Sequence, residues 1–169
     1  MTAVATQRAI PWTRWILFFG LAIGVLVVDQ ATKAVVTGAL AIGERVQVLG
    51  DWLTIVHSRN SGALFGLMPQ SAGAFAAVSI VVLVAIVWFE ARQGRSLLTT
   101  VALGLLLGGA IGNLLDRLRY GSVVDFIDMG IGSIRFFTYN VADAAITGAI
   151  LLFILLALFP KLGEIGSGD

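Results

Sequence analysis

The sequence is poor in the residues that soluble enzymes use for cross-links and catalysis. Cysteine is absent, which excludes disulfides, thiolate metal sites and a cysteine nucleophile. His57 is the one histidine, so a multi-histidine zinc site within one chain is excluded, and we expect His57 in a loop or at a membrane interface. Charged residues make up 12% of the chain, and the net charge of +1 gives no basis for binding nucleic acid.

Long apolar runs are what the sequence has instead. Hydrophobic residues make up 58% of the 169 residues and the mean hydropathy is +0.95, so we expect an integral membrane protein forming a single domain over residues 1–169. Four segments approach the ~20 apolar residues that a helix needs to cross a bilayer. They are about Trp15–Val36, Ala72–Phe89, Leu97–Leu115 and Val141–Phe159. The predicted fold class is an all-α membrane protein with four transmembrane helices.

The connectivity of four spans would bring most of the polar residues to one membrane face. The late ends of the first and third spans share that face with the early ends of the second and fourth. The polar residues at or near those ends are Asp29, Gln30, Lys33, Asn60, Asn113, Asp116, Arg117, Asp125, Asn140 and Asp143. Random scatter would not produce this distribution, so the sequence predicts one site built from several helix ends.

The orientation in the membrane does not follow from a charge count, because five lysines and arginines lie on the terminus side and six on the other. Since several arginines of the second face belong to the polar site, we expect cytoplasmic termini and an extracytoplasmic site. A cleaved signal peptide is the alternative for the first span, since Ala39-Leu40-Ala41 resembles a cleavage site. The span is too long for that, and cleavage would remove Asp29 and Lys33, so we expect it to be retained.

Two loop regions carry strand signals. Each has alternating apolar residues on both sides of a turn sequence, which is typical of a β-hairpin. The first pair is Arg45–Leu49 and Trp52–His57 around Gly50-Asp51, and the second is Ser122–Met129 and Ile134–Thr138 around Gly130-Ile131-Gly132. We expect a small extracytoplasmic sheet or cradle on the bilayer surface.

Asp125 and Asp143 are the strongest candidates for chemistry, because acids at the edge of a bilayer are costly unless they are paired or used. Two carboxylates on one face predict a pair that shares a proton. Asn140 and Asp143 also fit a helix capping box, and a cap alone would explain both residues. Capping does not explain Asp125. Asp125 and Asp128 lie three apart in a strand-like run, so only one of them can face the site.

Other polar residues are spaced as helical neighbours. Asp29 and Lys33 lie four apart, which predicts either an ion pair at the membrane edge, with the lysine extending to water, or a support for the site. Asn113 and Arg117 also share a helical face, and we interpret them as orienting the carboxylates. Asn60 offers an amide that could hold a substrate backbone.

The third predicted span contains a further pattern around these residues. Gly108 and Gly112 lie four apart, which is typical of closely packed membrane helices. Asp116 follows, and we expect it to pair with an arginine.

Taken together, five blocks resemble one family. In order and spacing they are similar to the bacterial lipoprotein signal peptidases, signal peptidase II, over about residues 15–160. The blocks are Asp29-Gln30-x-Thr32-Lys33, Asn60-x-Gly62-Ala63, Gly108-Gly109-x-x-Gly112-Asn113-x-x-Asp116-Arg117, Val123-x-Asp125-Phe126 and Asn140-x-Ala142-Asp143-x-x-Ile146. Leu64 and Tyr139 depart from the family pattern, at positions that bear on substrate fit rather than on catalysis.

The resemblance implies an aspartic endopeptidase of the bacterial inner membrane. Its substrates would be prolipoproteins with a diacylglyceryl group on a cysteine, cut just before that cysteine, and globomycin would inhibit it. The resemblance assigns the catalytic pair to Asp125 and Asp143, rather than Asp128, without a metal or organic cofactor. The supporting residues would be Asp29, Lys33, Asn60, Asn113, Arg117 and Asn140. We also expect contact with membrane lipids and a monomer.

Three other functions are compatible with parts of the pattern. A serine–lysine peptidase would use Lys33 with Ser61 or Ser122, although Asp29 would keep that lysine charged. A metal-dependent membrane lipid transferase would use acidic residues as Mg²⁺ ligands, namely Asp116, Asp125 and Asp128. A transporter or proton relay would place polar residues along the membrane midplane, but the second and fourth spans have apolar centres.

Overall fold

The structure is a computed structural model, and its described residues are 11–61, 72–93 and 96–164. Over these residues the chain forms four α-helices, four β-strands and a final 3₁₀ turn. In chain order they are α1 (Trp12–Ala39), β1 (Arg45–Leu49), β2 (Leu53–Asn60), α2 (Ala72–Gln93), α3 (Leu97–Tyr120), β3 (Val123–Ile131), β4 (Ile134–Arg135), α4 (Val141–Leu158) and the turn Pro160–Glu164. The prediction of a mainly helical protein with a small sheet is confirmed.

The helices agree with the predicted spans but extend beyond several of them. α1 is three residues longer at each end than predicted, and α3 continues to Tyr120. The added turns contain polar residues, which an apolar run does not reveal. α3 ends where Gly121 takes a left-handed conformation at φ 68°. Among the described residues, α1, α3 and α4 are long and apolar enough to cross a membrane.

α3 is the central helix, and α1, α2 and α4 all pack against it. Glycines permit the close approach. A Cβ added to Gly108 would lie 2.5 Å from the carbonyl oxygen of Ala22, and one added to Gly109 would lie 2.6 Å from that of Ala142. The close packing predicted for Gly108 and Gly112 is confirmed, since a Cβ at Gly112 would lie 2.6 Å from Oδ2 of Asp29, and Gly109 adds to it. These contacts pack α1 and the start of α4 closely against α3.

The two predicted hairpins are present and form one antiparallel sheet in the order β1-β2-β3-β4. The joining contact is the pairing of β2 with β3, in which Ser58 lies opposite Asp125 after a bulge in β2. The predicted turn of the second hairpin was wrong in its boundary. β3 continues through Ile131, and the chain turns at Gly132, whose φ is 58°. The second strand of this hairpin, β4, is only two residues long rather than extending to Thr138.

His57 differs from its expected loop or interface position. It lies within β2 and is only 4% exposed, and its Nδ1 is 2.9 Å from the carbonyl oxygen of Leu40. The adjacent Val56 is buried too, and the strand register is irregular between Ile55 and Ser58, so simple alternation would not have predicted the position of His57. The residue at the end of α1, Leu40, contacts the ring.

Candidate functional site

Asp143 is held by the start of α4. Its backbone N–H donates to Oδ1 of Asn140 at 2.9 Å, and the Asn140 N–H donates to its Oδ2 at 3.3 Å, which completes the predicted capping box. Nδ2 of Asn113, on α3, donates to Oδ1 of Asp143 at 2.8 Å. These hydrogen bonds fix the orientation of the carboxylate at the first turn of α4.

Asp125 reaches the same place from β3. Its Oδ2 accepts a 2.9 Å hydrogen bond from Nδ2 of Asn60, and its Oδ1 accepts one of 2.7 Å from Nδ2 of Asn140. Asn140 therefore contacts both aspartates, Asp125 through its side chain and Asp143 through its backbone. The capping box and the carboxylate pair are parts of one arrangement rather than alternatives.

The surroundings of Asp125 alter its protonation. Its side chain is buried, and burial raises its pKa to about 6, with the negative charge of Asp143 acting in the same direction. The hydrogen bonds from Asn60 and Asn140 and the charge of Lys33 oppose this rise. Asp125 therefore keeps its proton up to a higher pH than an exposed aspartate does.

Asn113 connects the two aspartates to the rest of the site. Its Oδ1 accepts from Nδ2 of Asn140 at 3.3 Å and from Nζ of Lys33 at 3.2 Å, which leaves its Nδ2 to donate to Asp143. Arg117 donates to the backbone oxygen of Asn113 at 3.2 Å, and its charge interacts with Asp143, Asp125 and Asp116.

A buried ionic cluster lies beneath this network. Nζ of Lys33 is 2.8 Å from Asp29 and 2.9 Å from Asp116. The predicted pair of Asp29 and Lys33 is confirmed, but two details were wrong. Lys33 is 3% exposed and does not extend to water, and the ion-pair partner of Asp116 is this lysine rather than an arginine. Both differences arise because α3 packs over the polar face of α1.

The two acids of this cluster also bind the backbone next to the candidate pair. Asp29 accepts from the N–H of Ala142, the residue before Asp143, at 3.0 Å. Asp116 accepts from the N–H of Val124, the residue before Asp125, at 3.0 Å. Gly112 allows this arrangement, since a Cβ there would lie 2.6 Å from Oδ2 of Asp29. The cluster therefore positions the backbone that carries both aspartates.

Gln30 was placed at the predicted site, but sequence reasoning assigned it no role there. Its Nε2 lies within 3.3 Å of Asp29, Asp116 and the backbone oxygen of Gly112, and thus links α1 to α3. Its position beside Asp29, on the membrane face that holds most of the polar residues, was the one sign of a role. Helical spacing gave it no partner on its own helix.

Asp128 belongs to a different group. It is paired with Arg45 at 2.8 Å and with Arg135 at 3.0 Å, so it connects β1, β3 and β4. Its spacing from Asp125 predicted that only one of the two would face the site, and their partners agree with this. Nothing in the sequence pattern indicated that two arginines would enclose Asp128.

An apolar cavity of about 1020 Å³ lies beside Asp143. The cavity is lined by the first half of α4 and by the β3–β4 hairpin with the segment that follows it. The hairpin and that segment contribute the bulky apolar side chains Ile131, Ile134, Phe136, Phe137 and Tyr139, and Trp52 from the turn between β1 and β2 adds to them. Asp143 lines the cavity, whereas Asp125 is not among the lining residues. Tyr139, which departs from the family pattern, contacts Met129 through its hydroxyl rather than either aspartate.

The opposite end of the bundle holds a smaller buried polar contact that the sequence did not predict. Glu90 on α2 is fully buried and accepts a 3.0 Å hydrogen bond from the hydroxyl of Thr100 on α3. Gly62, Ala63 and Leu64, which entered the family resemblance, lie outside the described residues. Within the described part of the chain, no group of three or more histidine, cysteine or acidic side chains is arranged to hold a metal ion.

These features define a class of protein: a helical membrane protein with a polar site at one end of the bundle, beneath a small sheet. The sequence profile of the signal peptidase (SPase) II family matches residues 21–159. The lipoprotein signal peptidases of Staphylococcus haemolyticus and Staphylococcus carnosus are 39% and 40% identical to the chain, over 82% of it and 87% and 88% of their own lengths. A solved bacterial membrane enzyme superposes with a TM-score of 0.79 at 33% identity, covering 89% of this chain and 96% of that one.

A second solved bacterial membrane enzyme gives a TM-score of 0.78 at 34% identity, over 89% of this chain and 90% of its own. The chain therefore belongs to the signal peptidase II family, and it is a peptidase of a bacterial membrane. The family resemblance seen in the five sequence blocks is confirmed.

Proposed function

We propose that the protein is an aspartic endopeptidase that removes signal peptides from diacylglyceryl-modified prolipoproteins by cutting before the lipidated cysteine. Family membership supports the substrate class, because the relatives are named lipoprotein signal peptidases. The observation that carries the aspartic assignment is the contact of Asn140 with both Asp125, at 2.7 Å, and Asp143, at 3.3 Å. Two carboxylates brought together by one residue can share a proton, as an aspartic mechanism requires.

In the proposed mechanism the two aspartates have different roles. Asp143 lines the cavity and sits at a helix N-terminus, so it is the ionised partner that takes a proton from the attacking water. Asp125 is the neutral partner, which polarises the scissile carbonyl and then protonates the leaving amine. The raised pKa of Asp125, about 6, supports this order.

The supporting residues act through the pair. Asn60, Asn113 and Asn140 hold the carboxylate oxygens in place. Arg117 adds positive charge near the pair and binds the backbone of Asn113. Asp29 binds the backbone N–H of Ala142, and Lys33 binds Asp116 and Asn113. These contacts brace the junction of α1, α3 and α4. Asn60 contacts Asp125, so we propose that it positions this carboxylate rather than binding substrate backbone.

The proposed topology has four spans, with α2 as the fourth transmembrane helix beside α1, α3 and α4. Its 22 residues match the ~20 needed to cross the hydrocarbon core. We propose a single domain that works as one chain in the inner membrane, with cytoplasmic termini and an extracytoplasmic site. The enzyme would need no cofactor, and globomycin would compete for the site.

Two of the alternative functions are poorly supported by the contacts. A serine–lysine mechanism needs a lysine that can accept a proton, but Nζ of Lys33 is already bound to Asp29, Asp116 and Asn113. A Mg²⁺-dependent transferase needs its acids around one ion. Asp116 instead binds Lys33, while Asp128 binds two arginines on the far side of the strand.

The decisive test uses purified protein and a synthetic precursor that carries a diacylglyceryl cysteine. The wild type should release the signal peptide, and globomycin should block the release. Asp125→Asn and Asp143→Asn should be inactive while still present in the membrane fraction. Chelators should have no effect on the wild type. Substantial cleavage by either variant would contradict the aspartic assignment.

A further inference from the structure

The cavity beside Asp143 lies on the outward face of α4. Ala144, Thr147, Gly148 and Leu151 line it, whereas the buried residues of α4, Ala142 and Ala149, face its other side. This follows from the helical repeat, because residues 142 and 149 share one stripe and residues 144, 148 and 151 share the opposite one. In a membrane, this outward face is the one that lipid can reach.

The opposite wall is an overhanging aromatic segment. Phe136 and Phe137 are stacked with ring centroids 3.9 Å apart, and both are more than half exposed. Arg135 also borders the cavity, but its guanidinium is bound to Asp128, Thr54 and the backbone oxygen of Asp51. Apart from Asp143, Thr147 and the ring nitrogen of Trp52, the cavity is therefore lined mainly by apolar groups or by polar groups that already have partners.

Resting on the proposed function, we infer that this cavity holds the acyl chains of the substrate's diacylglyceryl group, and that Gly148 sets the chain length it accepts. The lipid is attached to the residue just after the scissile bond, so its chains leave the catalytic pair at the mouth of the cavity. Acyl chains need no hydrogen-bond partners, which suits these walls. An extended peptide would leave its backbone groups unpaired there.

Gly148 has a specific place in this cavity. It lies five residues beyond Asp143, about 7.5 Å farther along the helix axis, and the lining continues to Leu151, about 12 Å from Asp143. No atom lies within 4 Å of a Cβ built at Gly148, so a larger side chain there would enter the open volume without displacing protein atoms. The residue therefore controls the depth that a chain can occupy beyond the catalytic pair.

The test compares Gly148→Leu and the milder Gly148→Ala with the wild type on precursors carrying either long or short acyl chains. Gly148→Leu should raise KM for the long-chain precursor by about 10-fold or more, with little change for the short-chain precursor. The turnover number should hold, because the aspartates are untouched. Gly148→Ala should also raise KM for the long-chain precursor relative to the short-chain one, but by less. This variant keeps the test valid if the leucine variant does not fold.

Gly24→Leu is the matched control. Gly24 lies on α1, is exposed, and also has no atom within 4 Å of a built Cβ. The Gly24→Leu variant should leave the preference between long and short acyl chains unchanged. An equal effect of Gly148→Leu on both precursors, or no effect, would overturn the inference. The inference would also be overturned if the loss of activity in Gly148→Leu depended on the bulk of the signal segment but not on acyl length. That result would assign the cavity to the signal helix.

The same experiment separates the two proposals. If the wild type cleaves lipidated precursors and the chain-length preference does not respond to residue 148, only the acyl-chain inference fails. If the wild type cleaves no lipidated precursor, the proposed function fails as well.

Discussion

Five aspartates at and near the candidate site are held in two different ways. Asp29, Asp116, Asp125 and Asp128 are equally hidden from solvent, whereas Asp143 is half-buried. Asp29, Asp116 and Asp128 are cation-held acids, each within 3.0 Å of a lysine or arginine nitrogen. Asp125 and Asp143 are the amide-held pair, whose oxygens accept from asparagine side chains at 2.7–2.9 Å. Burial therefore does not by itself separate a structural acid from a candidate catalytic one.

The difference lies in what the neighbours do to the proton. A lysine or arginine at short range neutralises a carboxylate and holds it ionised. An asparagine donates a hydrogen bond without a full charge, so the repulsion between the two carboxylates of the pair persists. Burial is the main cause that raises the pKa of Asp125 to about 6, and this repulsion adds to it. Asp29 and Asp116 position the backbone, and Asp128 joins strands of the sheet. In the proposed mechanism, the amide-held pair supplies the proton for chemistry.

The largest expected contrast is between Asp125→Asn and Asp128→Asn, two substitutions on the same strand. Asp125→Asn should lower kcat by about 10³-fold or more, because it removes a general acid. Asp128→Asn should keep kcat of the folded enzyme within about 10-fold, because it affects only ion pairs of the sheet. Both are measured by cleavage of a lipidated precursor, normalised to folded protein. Similar losses of kcat in the two variants would remove the distinction between the groups.

A large effect on stability is expected from Lys33→Met. The change leaves Asp29 and Asp116 buried without their cation, and breaking a buried ion pair in this way costs about 3–5 kcal/mol. The free energy of unfolding in detergent measures it. Lys161→Met, at an exposed lysine of the final turn, is the control and should change little. An unchanged stability of Lys33→Met would show that the cation-held acids are not a structural brace.

The amide-held pair should also be visible in the pH dependence of catalysis. The proposed mechanism requires Asp125 neutral and Asp143 ionised, so kcat/KM should fall as the pH rises through about 6 in the free enzyme. This fall in kcat/KM reports the titration of the pair as a whole, because the two carboxyl groups titrate together. Initial rates from pH 4 to 9 measure it. A rate that stays constant from pH 5 to 9 would contradict the role given to Asp125.

The smallest effect concerns stability at the same residue. The folded state raises the pKa of Asp125 above its unfolded value, so the stability that its proton contributes is present at low pH and is lost as the pH rises from about 4 through about 6. Asp125→Asn avoids the buried charge but loses one of two acceptors. It should stabilise the protein by about 1–2 kcal/mol at pH 8 and by less at pH 5. Equal unfolding midpoints for wild type and variant at pH 8 would argue against a costly buried charge.

Local features of the structure could be predicted from the sequence because their causes are local. Residues four apart share a helical face, which is why the pairing of Asp29 with Lys33 was predicted correctly. A capping box joins residues three apart, so Asn140 and Asp143 were also predictable. The hairpins followed from alternation around turn residues, apart from the exact extent of the second one. The gathering of polar residues at one end followed from connectivity.

Contacts between elements distant in sequence were decided by the tertiary structure. The i,i+4 rule describes only one helix, so it could not show that Lys33 would bind Asp116 across the junction with α3, or that α3 would bury this lysine. Helical and strand periodicity left open which of Asp125 and Asp128 faces the site. The choice depends on the pairing of β2 with β3, which brings Asn60 to Asp125, and on the arginines that enclose Asp128. Sequence periodicity determines which residues share a face, but only the packing of separate elements decides which charges and amides meet.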